Sequence, residues 1–325
     1  MSLLTSWLTS PLPDAAVEIA PDRVSAASLA VRGGQPRVQV SASEPLRPGV
    51  ITPSLGARNI ADRDAVAGAV RVVLGRLGPR ATRVALVIPD LAGKVSVVRF
   101  ERVPSRRDDL DQLVRWQLRK SLPFPIEDAC VTYTAGQRGA EGAEFIVVAA
   151  RRDVVNEYEE VCATAGAHAG LVELATFSLV NLTLAAGAQG VPLAKAGDVL
   201  LVHVRPEYTS VAVLRNGDLI FFRNRPEGDE ESLTDVVHQT AMYYQDRLAG
   251  KRFAHVFLVG SGRTADAFDR ARKSLEDRLA TRVEPIDPMV AAALPDRIGA
   301  RPSRQDVLAP LAGVLLRAQH EAAGG

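Results

Sequence analysis

The chain has 325 residues, 47% of them hydrophobic, with 39 Lys and Arg against 38 Asp and Glu for a net charge of +1. That length holds one large domain or two to three smaller ones with a sizeable core, and the balanced charge gives no global pull toward nucleic acid or an acidic membrane surface. Only Cys130 and Cys162 are present, too few for a disulfide framework and consistent with a reducing compartment; no apolar run approaches the roughly 20 residues that span a bilayer.

The opening run, MSLLTSWLTSPLPD, lacks the basic start and long apolar centre of a signal peptide. Residues 1–14 are expected to form an arm whose Leu3, Leu4, Trp7 and Leu8 make a short apolar ridge, folded onto its own domain or held against a membrane or partner. Residues 15–19 then read as a buried strand broken only by Glu18, Pro21-Asp22 as a turn, and 24–31 and 36–43 as a hairpin across Gly33-Gly34. Asp62 is a good N-cap for a helix carrying Val66, Val70, Val73, Leu74 and Leu77. Strands are expected at 83–88 and 95–100.

Residues 110–133 combine a helix, a stop and a strand. Leu110, Leu113, Val114, Leu118 and Leu122 share one helical face, while Trp116 projects away from it. Pro123 and Pro125 cannot continue the helix, and Phe124 between them is expected to anchor the turn in a core. A strand at 144–150, a helix at 153–165, a strand at 170–174 and a helix at 177–186 follow. The Gly- and Ala-rich stretch 187–197 is the best domain boundary.

After it the pattern restarts. A strand at 198–204 precedes a hairpin across Asn216-Gly217, two residues that tolerate positive φ. Helices at 232–248 and 265–279 flank a strand at 255–259 and the tight turn Gly260-Ser261-Gly262; a strand at 281–286 and an apolar helix at 307–318 complete the chain. Residues 15–88 and 198–259 thus both run strand, hairpin, strand, helix, strand, which implies a duplicated α/β architecture. Residues 95–150 have no counterpart in the second half and read as an insertion.

The order of segments and four local runs resemble the PilM family, the cytoplasmic actin-like proteins of type IV pilus assembly, with FtsA and the cytoplasmic part of GspL more distant. The runs are VALVIPDLAGKVSVVRFERVP (84–104), the 110–133 stretch, FIVVAARRDVVNEYEEVCATAG (145–166), and NGDLIFFRN with HVFLVGSG further on. The resemblance implies a duplicated actin-like (RNase H-like) α/β fold with two lobes across a cleft. Its first lobe would span 15–94 and 151–190, with the inserted subdomain at 95–150. The second lobe would span 198–300, and a C-terminal helix, 301–320, would return to the first lobe.

The family's nucleotide chemistry would sit in three loops. Where the first begins with Asp this chain has Glu18, and Pro21 removes an amide. Where the second reads Asp-x-Gly the chain has His203 and Arg205; a bulky side chain replaces the Gly that lets backbone approach phosphate, and His203 is a poor substitute for an oxygen ligand to Mg²⁺. Gly260, Ser261 and Gly262 keep the third loop, although a plain tight turn explains them equally well. ATP with Mg²⁺ is therefore the cofactor the resemblance implies, and two of three loops argue against its binding and hydrolysis. The partner implied is the cytoplasmic N-terminal peptide of a PilN-like bitopic membrane protein, docking near 95–150 alongside other pilus or type II secretion platform components. The protein would then be a cytoplasmic scaffold, peripheral to the inner membrane. Trp116, Phe124 and Arg119 are the partner-binding candidates, with Trp116 packing the insertion onto its neighbour as the plainer role. The alternatives are an active actin-like ATPase or kinase and a self-assembling filament protein.

Other motifs carry less. His168, His203, His238, His255 and His320 show no paired metal spacing and read as surface or core histidines. No Walker A loop or nucleophile elbow occurs. The acidic run 227–231 reads as a complement to the following helix N-terminus rather than a metal site.

Overall fold

The computed structural model of the chain describes residues 13, 15–32, 35–78, 81–139, 142–188, 197–227, 232–260, 264–286, 288 and 302–324. The arm (but for Pro13), most of the 187–197 boundary, residues 228–231 of the acidic run, and Ser261 and Gly262 lie outside them. The first part comprises β1 (Ala15–Ile19), β2 (Arg23–Arg32), β3 (Gln35–Pro45), α1 (Arg63–Leu77) and β4 (Arg83–Ile88). Then come β5 (Gly93–Phe100), α2 (Arg107–Leu118), β6 (Ala129–Gly139), β7 (Gly142–Arg151), α3 (Arg152–Thr164), β8 (His168–Leu174) and α4 (Ala175–Ala188). The second part holds β9 (Val199–Val204), β10 (Tyr208–Arg215), β11 (Asp218–Pro226), α5 (Leu233–Arg247), β12 (His255–Val259), α6 (Ala265–Leu279), β13 (Val283–Pro285) and α7 (Pro302–Gly324).

The two five-stranded sheets have the same plan. One runs β3-β2-β1-β4-β8 and the other β11-β10-β9-β12-β13. In each, the first strand pairs antiparallel with the second and parallel with the fourth, and the fourth pairs parallel with the fifth. The central strands, AAVEI and VLLVHV, are apolar but for Glu18 and His203, because both faces are covered. On the outer face of the first sheet, α1 and α3 bury Val66, Val70, Val154 and Tyr158 against Val17 and Leu86. On the outer face of the second, α5 and α6 bury Val237, Tyr244 and Leu275 against Leu200 and Val202. Each such Val or Leu removed from water contributes about 1.5–3 kcal/mol.

Between the sheets lies a shared layer made by α4 and α7. Leu308, Leu311 and Val314 of α7 face Ala16, Ala85 and Val87 of the first sheet. Ala309, Ala312 and Leu316, with Leu179 and Leu182 of α4, face Leu201, Ala212 and Phe257 of the second. The two helices touch at Gly313, where a Cβ would stand 1.8 Å from the Ser178 carbonyl oxygen. The last helix is longer than its apolar core of 307–318, because Pro302 is tolerated in a first helical turn.

The third sheet, β5-β7-β6, is antiparallel. Val114 and Leu118 of α2 are buried with Phe100, Phe145, Val147 and Ala149, with Phe124 half-buried at the edge of this small core. The helix stops at Leu118, short of the expected Leu122, and the Ser121 amide bonds the Leu118 carbonyl at 2.8 Å. The proline at 123 drives the residue before it out of the helical region, so the chain must leave the helix earlier. Trp116 is 68% exposed, so it does not pack the insertion onto a neighbour.

Candidate functional site

Two places bring chemistry-bearing residues together: the cleft between the five-stranded sheets and a cavity beside the third sheet.

The cleft is bordered by two equivalent turns. Ala20-Pro21-Asp22 joins β1 to β2 and Arg205-Pro206-Glu207 joins β9 to β10. Both close the same way, Ala20 N–H to Arg23 carbonyl at 2.9 Å and Arg205 N–H to Tyr208 carbonyl at 2.8 Å. Proline supplies no amide at the second position of either turn. A phosphate cradle needs several unspent N–H groups converging on one point, and each of these turns uses one amide internally and lacks another.

Side chains of both halves fill the space between the turns. Glu18 and Arg205 are each 2% exposed. Arg205 Nη1 lies 3.4 Å from Glu18 Oε1 and Nη2 lies 3.3 Å from Asp22 Oδ1. Arg23 completes the group, 2.7 Å from Asp22 and 3.7 Å from Glu18. Burial disfavours the Arg205 charge, but Glu18 first, then Tyr208 and Asp22, hold the guanidinium above its ordinary pKa. Asp306 enters from α7, where its carboxylate accepts from the Gly260 backbone. Burial pushes its pKa up to about 6, against the opposing pull of His203, Arg23 and Arg205.

Behind these ions is a buried node built around Asp90 and His203. Asp90 is fully buried. Its Oδ1 accepts from the Thr176 amide at 2.9 Å, and its Oδ2 accepts from the Thr176 hydroxyl and from Ser210 Oγ at 2.6 Å. His203 Nδ1 sits 2.9 Å from Thr176 Oγ1 and 3.5 Å from Asp90 Oδ2. Since Thr176 gives its only hydroxyl proton to Asp90, Nδ1 carries the proton it shares with Thr176. Burial alone would raise the Asp90 carboxyl; the hydrogen bond and charge of His203, with Ser210 and Thr176, outweigh it and hold the pKa below the ordinary carboxylate value. His203 and Ser210 come from the second sheet, Asp90 and Thr176 from the chain around the first. Glu18, His203, Arg205 and Gly260 thus do converge on the cleft. Sequence reasoning missed Asp90, Thr176, Ser210 and Asp306; the one local signal was an isolated acid, Asp90, closing an apolar strand.

The cavity encloses about 740 Å³. Its walls are the face of the third sheet turned away from α2, with Ile146, Val148 and Thr132, and the strand β8, with Val155 of α3 and Phe177 of α4 beside it. Among the described residues, both β6 and β8 are edge strands, each paired on one side only. Two rows of backbone groups therefore border one apolar space. At its floor Glu173 is 6% exposed and accepts from Ser178 at 2.7 Å, from Asn181 at 3.1 Å, and from Arg317. Trp116 and Arg119 are on exposed parts of α2 and its C-cap, across the third sheet from this cavity, and neither lines it; Phe124 packs in the α2 core.

Twin sheets of one topology flanking a shared helical layer, with a cleft at the paired turns and an insertion in the first half, define an actin-like α/β protein. The family described as type IV pilus assembly protein PilM matches residues 16–256, and the chain belongs to that family. The fold is similar to that of a PilM–PilN type IV pilus biogenesis complex structure, at TM-score 0.77 and 18% identity over 96% of this chain and 99% of that one. A protein of actin-like ATPase fold from Bacteroides thetaiotaomicron matches at TM-score 0.48 and 10% identity, over 84% of this chain and 90% of that one. The cytoplasmic domain of EpsL from the Vibrio cholerae type II secretion system matches at TM-score 0.47 and 12% identity, over 96% and 94%. Among the described residues no helix is long and apolar enough to cross a membrane.

Proposed function

We propose that this protein is a nucleotide-independent scaffold of a pilus or secretion platform, sited in the cytoplasm beneath the inner membrane. It captures the cytoplasmic N-terminal peptide of a PilN-like bitopic protein. The observation that carries the reading is the cavity between the unpaired edges of β6 and β8. An extended peptide there would gain main-chain hydrogen bonds from a strand edge and bury alternate side chains against Ile146, Val148 and Phe177. No catalytic group is needed. The cleft supports the second half of the proposal: guanidinium groups and carboxylates occupy the volume between the turns, and Pro21 and Pro206 withhold amides from any phosphate.

The chain's two thiols make the test direct. Cys130 lines the cavity, whereas Cys162 is buried and its thiol is pushed up to about 12 by desolvation, so maleimide labels Cys130 selectively. A cysteine-free synthetic peptide of the PilN-like segment should slow that labelling, and Val155→Arg should abolish the protection. Labelling unchanged by saturating peptide would refute the docking site. Calorimetric titration with Mg-ATP tests the cleft separately; a low-micromolar dissociation constant would establish the alternative, an ATP-binding actin-like protein.

A further inference from the structure

We infer that the end of α2 is a membrane-surface contact, built to meet an anionic lipid bilayer directly. Trp116 is the most exposed of the large apolar side chains described, at 68%. One turn further along the same face come Arg119 and Lys120, both exposed. Lys94 reaches the same corner from β5, its Nζ donating to the Ser121 carbonyl at 2.7 Å. Pro123 is exposed beside them and Leu122 is half-buried.

Along the chain, the charge at this corner has one sign. From Gln112 to Ile126 the chain has no acidic residue. Arg115 is engaged by Asp111 at 3.1 Å and adds little. Asp108 and Asp109 sit at the opposite end of α2, in its first turn, where the helix N-terminus offsets them. Glu127 and Asp128, in the short turn after Pro125, are the nearest acids that follow. The result is an indole flanked by three cations at one corner of the insertion. Trp prefers the headgroup level, where its ring is apolar and its N–H stays wet, and each cation near an anionic surface adds attraction that falls off within a Debye length. The occupant this chemistry fits is a bilayer bearing acidic headgroups. The corner lies across the third sheet from the cavity, so the contact does not depend on the peptide reading.

The full chain carrying Trp7→Phe, which leaves Trp116 as the only indole, is mixed with phosphatidylcholine vesicles with or without about one third phosphatidylglycerol. At low salt it should sediment with the anionic vesicles only, and its emission should shift to the blue. Arg119→Glu with Lys120→Glu should cut the partition coefficient about tenfold or more, and in the otherwise native chain Trp116→Ala should weaken it, all with unchanged thermal melts. Val155→Arg, in the cavity wall, should leave vesicle binding intact. Equal binding to neutral vesicles, no binding to anionic ones, or binding undiminished by the double charge reversal would overturn the proposal. So would Trp116-dependent self-association in sedimentation velocity without lipid, which would make a second copy of the chain the partner.

Discussion

Arg205 puts a cation into the turn between β9 and β10, and it is paired there with carboxylates from the other half of the molecule. The ion pairs with Glu18 and Asp22 cross 187 and 183 residues of sequence. A buried pair is poor evidence of net stability, but removing one partner strands the other. Arg205→Met should therefore lower stability by about 3 kcal/mol in urea denaturation, at the low end of such effects because Arg23 remains near Glu18. Asp306 behaves oppositely. Its pKa is raised from 3.8 to about 6 by burial, so the folded state favours the protonated acid. The stability this contributes is complete below pH 3.8 and is lost as the pH rises to about 6. Asp306→Asn should accordingly melt higher than the native chain at neutral pH, with the gap closing as the pH falls through that window; a gap that widens on acidification would contradict the assignment.

At the scale of elements, what is decided locally could be read locally. Asp62 caps α1, accepting from the Ala65 amide at 3.0 Å. Asn216 and Gly217 take φ of 54° and 89°, the positive values their residue types tolerate. Ser232 and Asp235 close a capping box before α5. The end of α2 was not readable to the residue, since the face of Leu110, Leu113, Val114, Leu118 and Leu122 continues past the point where the chain turns. Nor was the role of Gly313, which looks like an unfavourable residue inside a helix. It is there because α7 lies directly on the Ser178 carbonyl of α4. Gly313→Val should push these helices apart and cost about 1–3 kcal/mol or more, seen as a lowered melting temperature; a variant as stable as the native chain would show the crossing to be looser than the geometry states.

For the whole molecule, the two sheets are not separate bodies joined by a tether. The α4–α7 layer gives each of them a buried face, and Asp90 joins Thr176 near the first sheet to Ser210 and His203 on the second. Both kinds of contact are lost together if the halves part. Urea unfolding should thus be one cooperative transition, with near-ultraviolet circular dichroism, which senses buried Tyr158 in the first half and Tyr208 and Tyr244 in the second, and far-ultraviolet circular dichroism giving the same midpoint. A second transition assignable to one half would show the shared layer to be weaker than its packing implies. Such a joined base suits the scaffold role proposed above, in which the insertion would present a cavity and a corner to partners.

The sequence alone determined the repeated strand and helix order, the insertion that breaks it, and the family, because periodicity, caps and turns depend on residues close along the chain. By resemblance, it raised the expectation that His203 and Arg205 depart from the family's nucleotide loops. Only the tertiary structure decided what those residues do. It paired Arg205 with Glu18 and Asp22, brought Asp306 to the cleft from the last helix, buried Asp90 among hydroxyls, and set Trp116 and the cavity on opposite sides of one sheet. Each of these depends on which distant segments pack together, and no local pattern encodes the direction a side chain faces once two lobes and an insertion have closed.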